Sequence, residues 1–274
     1  MPDQPKIAAF KALKGTRKIV CLTAYTAPMA RALDPYCDML LVGDSLAMVL
    51  YGMDGTTGID LDIMIRHGQA VMRRRQNALV VIDLPAGSYE ISPAQALESA
   101  SRIVTETGAD AIKLEGGTDL APHVKWLVDA GIPVLGHIGL LPQHAVANTA
   151  FRITGRSDAE AQQLQKDADA LVLAGAFGIV MEGIIEPVAA KIAATCAIPT
   201  IGIGASATCD GQILVTDDML GLYDSFTPKF VRKFADLQGD IGTAANAYRN
   251  AVIEGTFPTS DHLFWPKKTQ QNKP

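Results

Sequence analysis

Apolar residues fall in short runs of three to five, separated by stretches in which they recur every three or four positions. The runs predict strands over 19–23, 39–42, 79–82, 111–114, 134–136, 178–181, 200–203 and 213–215. The stretches between them predict helices over 27–33, 62–75, 93–107, 120–130, 158–174 and 187–197. Ser92-Pro93 and Ser157-Asp158 supply helix-start signals. Strand, helix and glycine-bearing turn recurring about eight times predict a parallel sheet closed into a (β/α)8 TIM barrel. The expectation is one barrel domain over residues 1–274. An open doubly wound sheet is the alternative, but no GxGxxG follows the first strand.

The apolar runs repeatedly end on a charged or metal-capable residue. Leu41-Val42-Gly43 leads to Asp44, Val80-Val81-Ile82 to Asp83, and Ala111-Ile112 to Lys113 and Glu115. Val134-Leu135-Gly136 leads to His137, and Ile179-Val180-Met181 to Glu182. A charge at the end of an apolar strand is costly unless paired, metal-bound or open to a cleft. In a parallel barrel the strand C-termini share one rim, so these residues are expected to converge on an enzyme site.

Composition narrows the setting. The 274 residues are 48% hydrophobic and carry a net charge of −5. Arg73-Arg74-Arg75 is the one basic cluster and reads as a solvated helix face, so no nucleic-acid partner is expected. The four cysteines form no CxxC pair and read as reduced, mostly buried thiols of a cytosolic protein. There is no apolar run of about 18 residues and no signal core near Met1, so no membrane partner and a cytoplasmic location are expected. Met48, Met53, Met64 and Met72 have no cofactor spacing and read as core. The long connection 140–156 reads as a loop over the site or as an oligomer contact. The polar tail is expected to fray beyond Trp265.

Asp44, Asp83 and Glu115 end three successive strands. Three carboxylates in one cleft take up protons unless a cation neutralises them, and oxygen-only ligation favours a hard ion such as Mg²⁺. Each acid alone also reads as a helix N-cap. Lys113 and Glu115, two apart, share a strand face; the lysine is either a structural ion pair or the partner of an acidic substrate's carboxylate. His137 reads equally as a satisfied core residue or a ligand-binding one. Glu182, beside apolar Met181 and Ile184, suits a general base with a raised pKa, or a salt bridge. Gly202-Ile203-Gly204-Ala205-Ser206 reads as a phosphate cradle or a tight turn, and Asp210-Gly211-Gln212 with Thr216-Asp217-Asp218 as turn and cap chemistry.

Taken together, Val42-Gly43-Asp44-Ser45-Leu46, Asp83-Leu84-Pro85, Lys113-Leu114-Glu115-Gly116-Gly117 and Gly136-His137-Ile138-Gly139-Leu140 with Pro142-Gln143 form a specific series. Ile201-Gly202-Ile203-Gly204-Ala205 and Asp210-Gly211-Gln212-Ile213-Leu214-Val215 complete it. The series resembles the ketopantoate hydroxymethyltransferase family from about Thr16 to Asp261. The resemblance implies a barrel of the phosphoenolpyruvate/pyruvate type, a homo-oligomer (commonly a decamer) and a Mg²⁺ requirement. It implies transfer of a hydroxymethyl group from the co-substrate 5,10-methylenetetrahydrofolate to 3-methyl-2-oxobutanoate, giving 2-dehydropantoate through a Mg-stabilised enolate. By motif, Asp44, Asp83 and Glu115 correspond to the metal set, some acting through water. Asp44, Ser45, Asp83, Lys113 and His137 correspond to substrate contacts, and Glu182 to the catalytic base. The sequence departs from the family pattern at Thr26, Ala47, Thr57-Gly58-Ile59-Asp60, Ala86 and Thr149-Ala150-Phe151-Arg152. These departures bear on the substrate pocket and leave the acidic core intact. A related Mg²⁺-dependent lyase or aldolase acting on another 2-oxo acid, and a catalytically silent barrel kept for assembly, are the competing readings.

Overall fold

Along a strand successive side chains point to opposite faces, and in this chain both faces are largely apolar, as a parallel sheet under helices requires. The computed structural model describes residues 4–144, 152–223 and 227–266. Its strands are β1 Ile19–Thr23, β2 Met39–Val42, β3 Leu79–Asp83, β4 Ala111–Lys113, β5 Val134–Gly139, β6 Gly178–Glu182, β7 Thr200–Ile203 and β8 Gly211–Leu214. Each pairs in parallel with the next, and β8 pairs with β1, closing the barrel in chain order. The predicted TIM barrel is therefore the observed fold.

Two buried clusters divide the strand residues by parity. One gathers Ile19, Cys21, Met39, Leu41, Leu79, Val81, Ala111, Leu135, Val180, Ile201 and Ile213 inside the barrel. The other sets Leu40, Val42, Val80, Ile82, Ile112, Val134, Ile179 and Met181 against the helices. Helix α1 Gln4–Ala12 plugs the end where the strands begin: Ile7 and Phe10 join the inner cluster, and Phe10 meets Phe177 edge-on at 5.7 Å.

The outer layer comprises α2 Ala27–Leu33, α3 Leu46–Val49, α4 Leu61–Met72, α5 Pro93–Thr107, α6 Ala121–Asp129, α7 Asp158–Ala174 and α8 Glu186–Thr195; α9 Thr216–Met219 and α10 Leu237–Ile253 follow the barrel. Starts are fixed by side-chain oxygens that accept otherwise unpaired backbone N–H groups. Ser92 accepts from Gln95 at 3.2 Å, Ser157 from Glu160 at 3.2 Å and Asp60 from Ile63 at 2.8 Å. Thr26, one of the departures, accepts from Met29 at 3.3 Å and so serves as an N-cap.

Three expectations change. Helix α4 stops at Met72, so the arginine triplet follows the helix, and Arg75 turns inward to bond Asp110 at 2.7 Å. No helix separates β7 from β8, which are joined by a short turn, and β8 begins two residues earlier than the pattern predicts. Helix α10 was not predicted: Gly239, Gly242 and Asn246 dilute its helical signal, and none of its residues is buried. The outer faces of β1 and β8 are correspondingly open, with Val20 46% exposed. Met64 is core as expected, whereas Met53 is exposed and Met48 lines the cavity described below. All four cysteines are buried and free. Among the described residues no helix is long and apolar enough to cross a membrane. The tail residues 267–274 lie outside the described residues.

Candidate active site

The parity that fills the barrel also delivers the site. Continuing the inward series by two residues gives Asp83 after Val81, Lys113 and then Glu115 after Ala111, His137 after Leu135, and Glu182 after Val180. With Asp44 and Ser45, which follow β2, they line one cavity of about 460 Å³. All the predicted site residues are thereby brought together at the C-terminal rim. Glycine makes the approach possible at two points. A Cβ on Gly43 would meet Ser45 Oγ at 2.9 Å, and Gly139, at φ +101°, would place one 2.2 Å from the Glu182 carbonyl oxygen.

Lys113 holds the centre. Its Nζ lies 3.1 Å from Asp83 Oδ1, 3.8 Å from Glu115 Oε1 and 3.3 Å from His137 Nδ1. Asp83 Oδ2 accepts the Asp44 N–H at 3.1 Å, so Asp83 braces the turn after β2 and caps no helix. Ser45 Oγ is 2.8 Å from Tyr25 Oη. His137 stands between two acids, with Nδ1 3.4 Å from Glu115 Oε1 and Nε2 3.5 Å from Glu182 Oε2.

The charges do not cancel. Burial, reinforced by Asp83 and Glu115, pushes the Asp44 carboxyl well above its usual range. Burial also raises Asp83, against the opposing pull of Lys113. Glu115 is lowered because His137, Lys113 and the Gln143 N–H outweigh its burial. The carboxylates in turn raise Lys113, which stays an ammonium despite burial. Glu182, with a fifth of its side chain reaching the cavity, is pushed by burial to about 7, with Glu115 and Asp83 adding to the rise.

A hard cation suits this excess of negative charge. Asp83 Oδ1 is fully buried and makes no hydrogen bond, its contact with Lys113 being ionic. Among the described residues no three acidic, histidine or cysteine side chains form a ready-made cage. Mg²⁺ needs none, since it keeps waters and takes one or two carboxylates. The set fits an open site of that kind.

Sequence reasoning gave no role to several neighbours. Tyr89 and Gln143 bond the acids from behind, and Thr56, Asp218, Lys229 and Phe230 line the cavity. Pro142-Gln143 carried a motif signal; Tyr89, in a polar turn, carried none. Of the connection 140–156, Leu140, Pro142 and Ile153 form cavity wall, as the loop reading expects. Thr149, Ala150 and Phe151 lie outside the described residues. Thr26, Ala47 and Ala86 are absent from the cavity wall. Gly204, at φ +60°, faces the Phe230 ring, where a Cβ would come within 2.7 Å; the glycine run is a tight turn packed under an aromatic ring.

The chain is 56% identical over 261 residues to the 3-methyl-2-oxobutanoate hydroxymethyltransferase of Sinorhizobium fredii, covering 95% of this chain and 96% of the relative. Among solved structures it resembles 2,3-dimethylmalate lyase, a PEP mutase/isocitrate lyase superfamily member, with a TM-score of 0.56 and 16% identity over 90% of this chain and 87% of that one. It also resembles a phosphonopyruvate hydrolase complexed with oxalate and Mg²⁺, with a TM-score of 0.60 and 10% identity over 96% and 92%. At such identities these two likenesses show the fold alone. A family model described as ketopantoate hydroxymethyltransferase matches residues 4–260, and with the acidic rim in place the chain belongs to that family.

Proposed function

We propose that this protein transfers a hydroxymethyl group from 5,10-methylenetetrahydrofolate to 3-methyl-2-oxobutanoate, giving 2-dehydropantoate. The observation that carries the proposal is the pairing, in one cavity, of an acid cluster around Lys113 with Glu182, a carboxyl raised to about 7. A Mg²⁺ ion held by Asp44 and Asp83, with Glu115 alongside, would supply Lewis-acid polarisation of the keto oxygen. Lys113 pairs with the substrate carboxylate, and Ser45 and His137 orient the 2-oxo acid between them. Glu182 takes the proton from C3, and the carbanion electrons form the new bond to the one-carbon unit. Both C–N bonds of the methylene bridge break as water supplies the hydroxyl group to that carbon; the second water proton and the C3 proton held by Glu182 pass to the two folate nitrogens, and tetrahydrofolate leaves.

The cavity also has room for a second reactant. A five-carbon acid fills only the inner part of about 460 Å³. The outer wall of Met48, Ile153, Pro228 and Phe230, with Asp218 and Lys229, suits a larger, flatter molecule. The test is deuterium wash-out at C3 of 3-methyl-2-oxobutanoate without folate, with and without Mg²⁺. Mg²⁺-dependent exchange is expected, and its absence in active protein would remove the proposed chemistry.

A homo-oligomer, a decamer on the family's example, fits the same reading. Ile241, Tyr248 and Val252 recur along one side of α10 and are exposed, as is Val20 on the barrel wall. A partner copy is what would bury such surfaces. Light scattering should give a multiple of the 29.1 kDa chain mass, and a monomer would contradict the assembly.

A further inference from the structure

Four hydrogen bonds meet on one neutral residue behind the acids, three of them on its side chain. Gln143 lies in the 3₁₀ turn Pro142–His144 that follows β5, and it is buried. Its backbone N–H donates to Glu115 Oε2 at 3.0 Å. Its Nε2 donates to Asp44 Oδ2 at 2.8 Å and to the Leu84 carbonyl at 2.9 Å. Its Oε1 accepts from the Tyr89 hydroxyl at 2.6 Å. Tyr89 is fully buried, and its oxygen in turn accepts the Glu115 N–H at 3.2 Å.

These partners leave the amide one orientation. Turned over, it would set its oxygen against a carboxylate and a carbonyl and its N–H₂ against a phenol already receiving a proton donor. The phenol oxygen lies 2.6 Å from Gln143 Oε1 and 3.3 Å from the Glu115 carbonyl oxygen, so the shorter contact directs its proton at Gln143, and both Gln143 protons point at acceptors. Asp44 Oδ2 is committed to the amide, which leaves Oδ1 as the oxygen of Asp44 for a cation. Charge also matters: a lysine here would neutralise Asp44 and a carboxylate would repel it. Glutamine orients the acid and leaves its charge unchanged.

We propose that Gln143, held in register by Tyr89, is a positioning residue for divalent-cation binding, fixing Asp44 and Glu115 relative to each other across the rim. The inference rests on the reading of Asp44, Asp83 and Glu115 as the seat of that cation. Partners that orient metal-binding side chains typically change affinity by about 10- to 100-fold when removed.

The experiment is calorimetric titration of the full-length protein with Mg²⁺ alone, then Mn²⁺ alone, without 2-oxo acid or folate. Gln143→Met keeps the length and removes the amide; Tyr89→Phe removes the hydroxyl that orients the amide and also accepts the Glu115 N–H. Gln143→Met should bind Mg²⁺ about 10- to 100-fold more weakly than wild type. Tyr89→Phe should weaken binding less, and should cost less in the Gln143→Met background than in wild type, since the part of its effect that runs through the Gln143 amide is already lost there. A purely structural role would lower thermal stability without this coupling in cation affinity. Wild-type affinity in Gln143→Met, or fully additive losses in the double variant, would overturn the proposal. If Gln143→Met does not fold, the Tyr89→Phe titration decides: unchanged affinity overturns it and weakened affinity supports it. Failure of the wild type to bind either ion would instead count against the metal reading itself.

Discussion

Glu182→Gln tests whether a buried carboxyl is held at the mouth of this cavity at a cost to the fold. Raising the group from 4.5 to about 7, at about 1.36 kcal/mol per pH unit, corresponds to about 3 kcal/mol. The sign follows from proton uptake. Below pH 4.5 the folded and unfolded states both hold the proton, and between 4.5 and about 7 only the folded state keeps it. Stability from this group is therefore lost as pH rises through about 7. Glutamine has the same shape and does not titrate, so the variant should gain on wild type by about 3 kcal/mol between pH 4.5 and pH 8. Urea unfolding at fixed protein concentration, without divalent ions, reads this as diverging stability curves; the other carboxyls titrate in both proteins and largely cancel. The same variant should bind 3-methyl-2-oxobutanoate yet lose C3 exchange, which in wild type should rise with pH. Parallel stability curves would refute the burial argument, and surviving exchange would remove Glu182 from the base role.

Three further outcomes are expected. Lys113→Met leaves Asp83 and Glu115 without their ammonium; breaking such a buried pair costs about 3–5 kcal/mol, measurable by denaturation, and should raise the KM for the 2-oxo acid more than that for folate. Gly139→Ala drives a Cβ to within 2.2 Å of the Glu182 carbonyl oxygen at φ +101°, so exchange should fall by about tenfold or more if the base shifts by an ångström; wild-type exchange would show that the turn yields elsewhere. Asp34→Ala removes the acceptor of the Gln76, Asn77 and Ala78 N–H groups. It should lower stability by at least about 2 kcal/mol with unchanged kcat, because Asp34 lies outside the cavity wall.

The barrel and its acidic rim were legible in the chain because both follow from local periodicity. Asp83 continues the Leu79, Val81 series that faces inward, and Glu182 continues Val180, so a period of two sets their direction. The family motifs were local as well. Arg75 shows where a local pattern stops: three arginines in a row read as solvent-facing, yet the turn after α4 brings the third onto Asp110, the residue before β4. Helix α10 was missed because helical periodicity is clearest when one face is buried, and α10 buries no residue in its own chain.

Sequence by itself determined that Asp44, Asp83, Lys113, Glu115, His137 and Glu182 follow apolar strands onto one rim, and what chemical types they are. Tertiary structure decided how they are tuned. The rise of Glu182 toward 7 comes from burial and from acids on other strands, and the orientation of Asp44 comes from an amide 99 residues away. Such effects depend on distance and dielectric, which the closed barrel sets and sequence spacing does not encode.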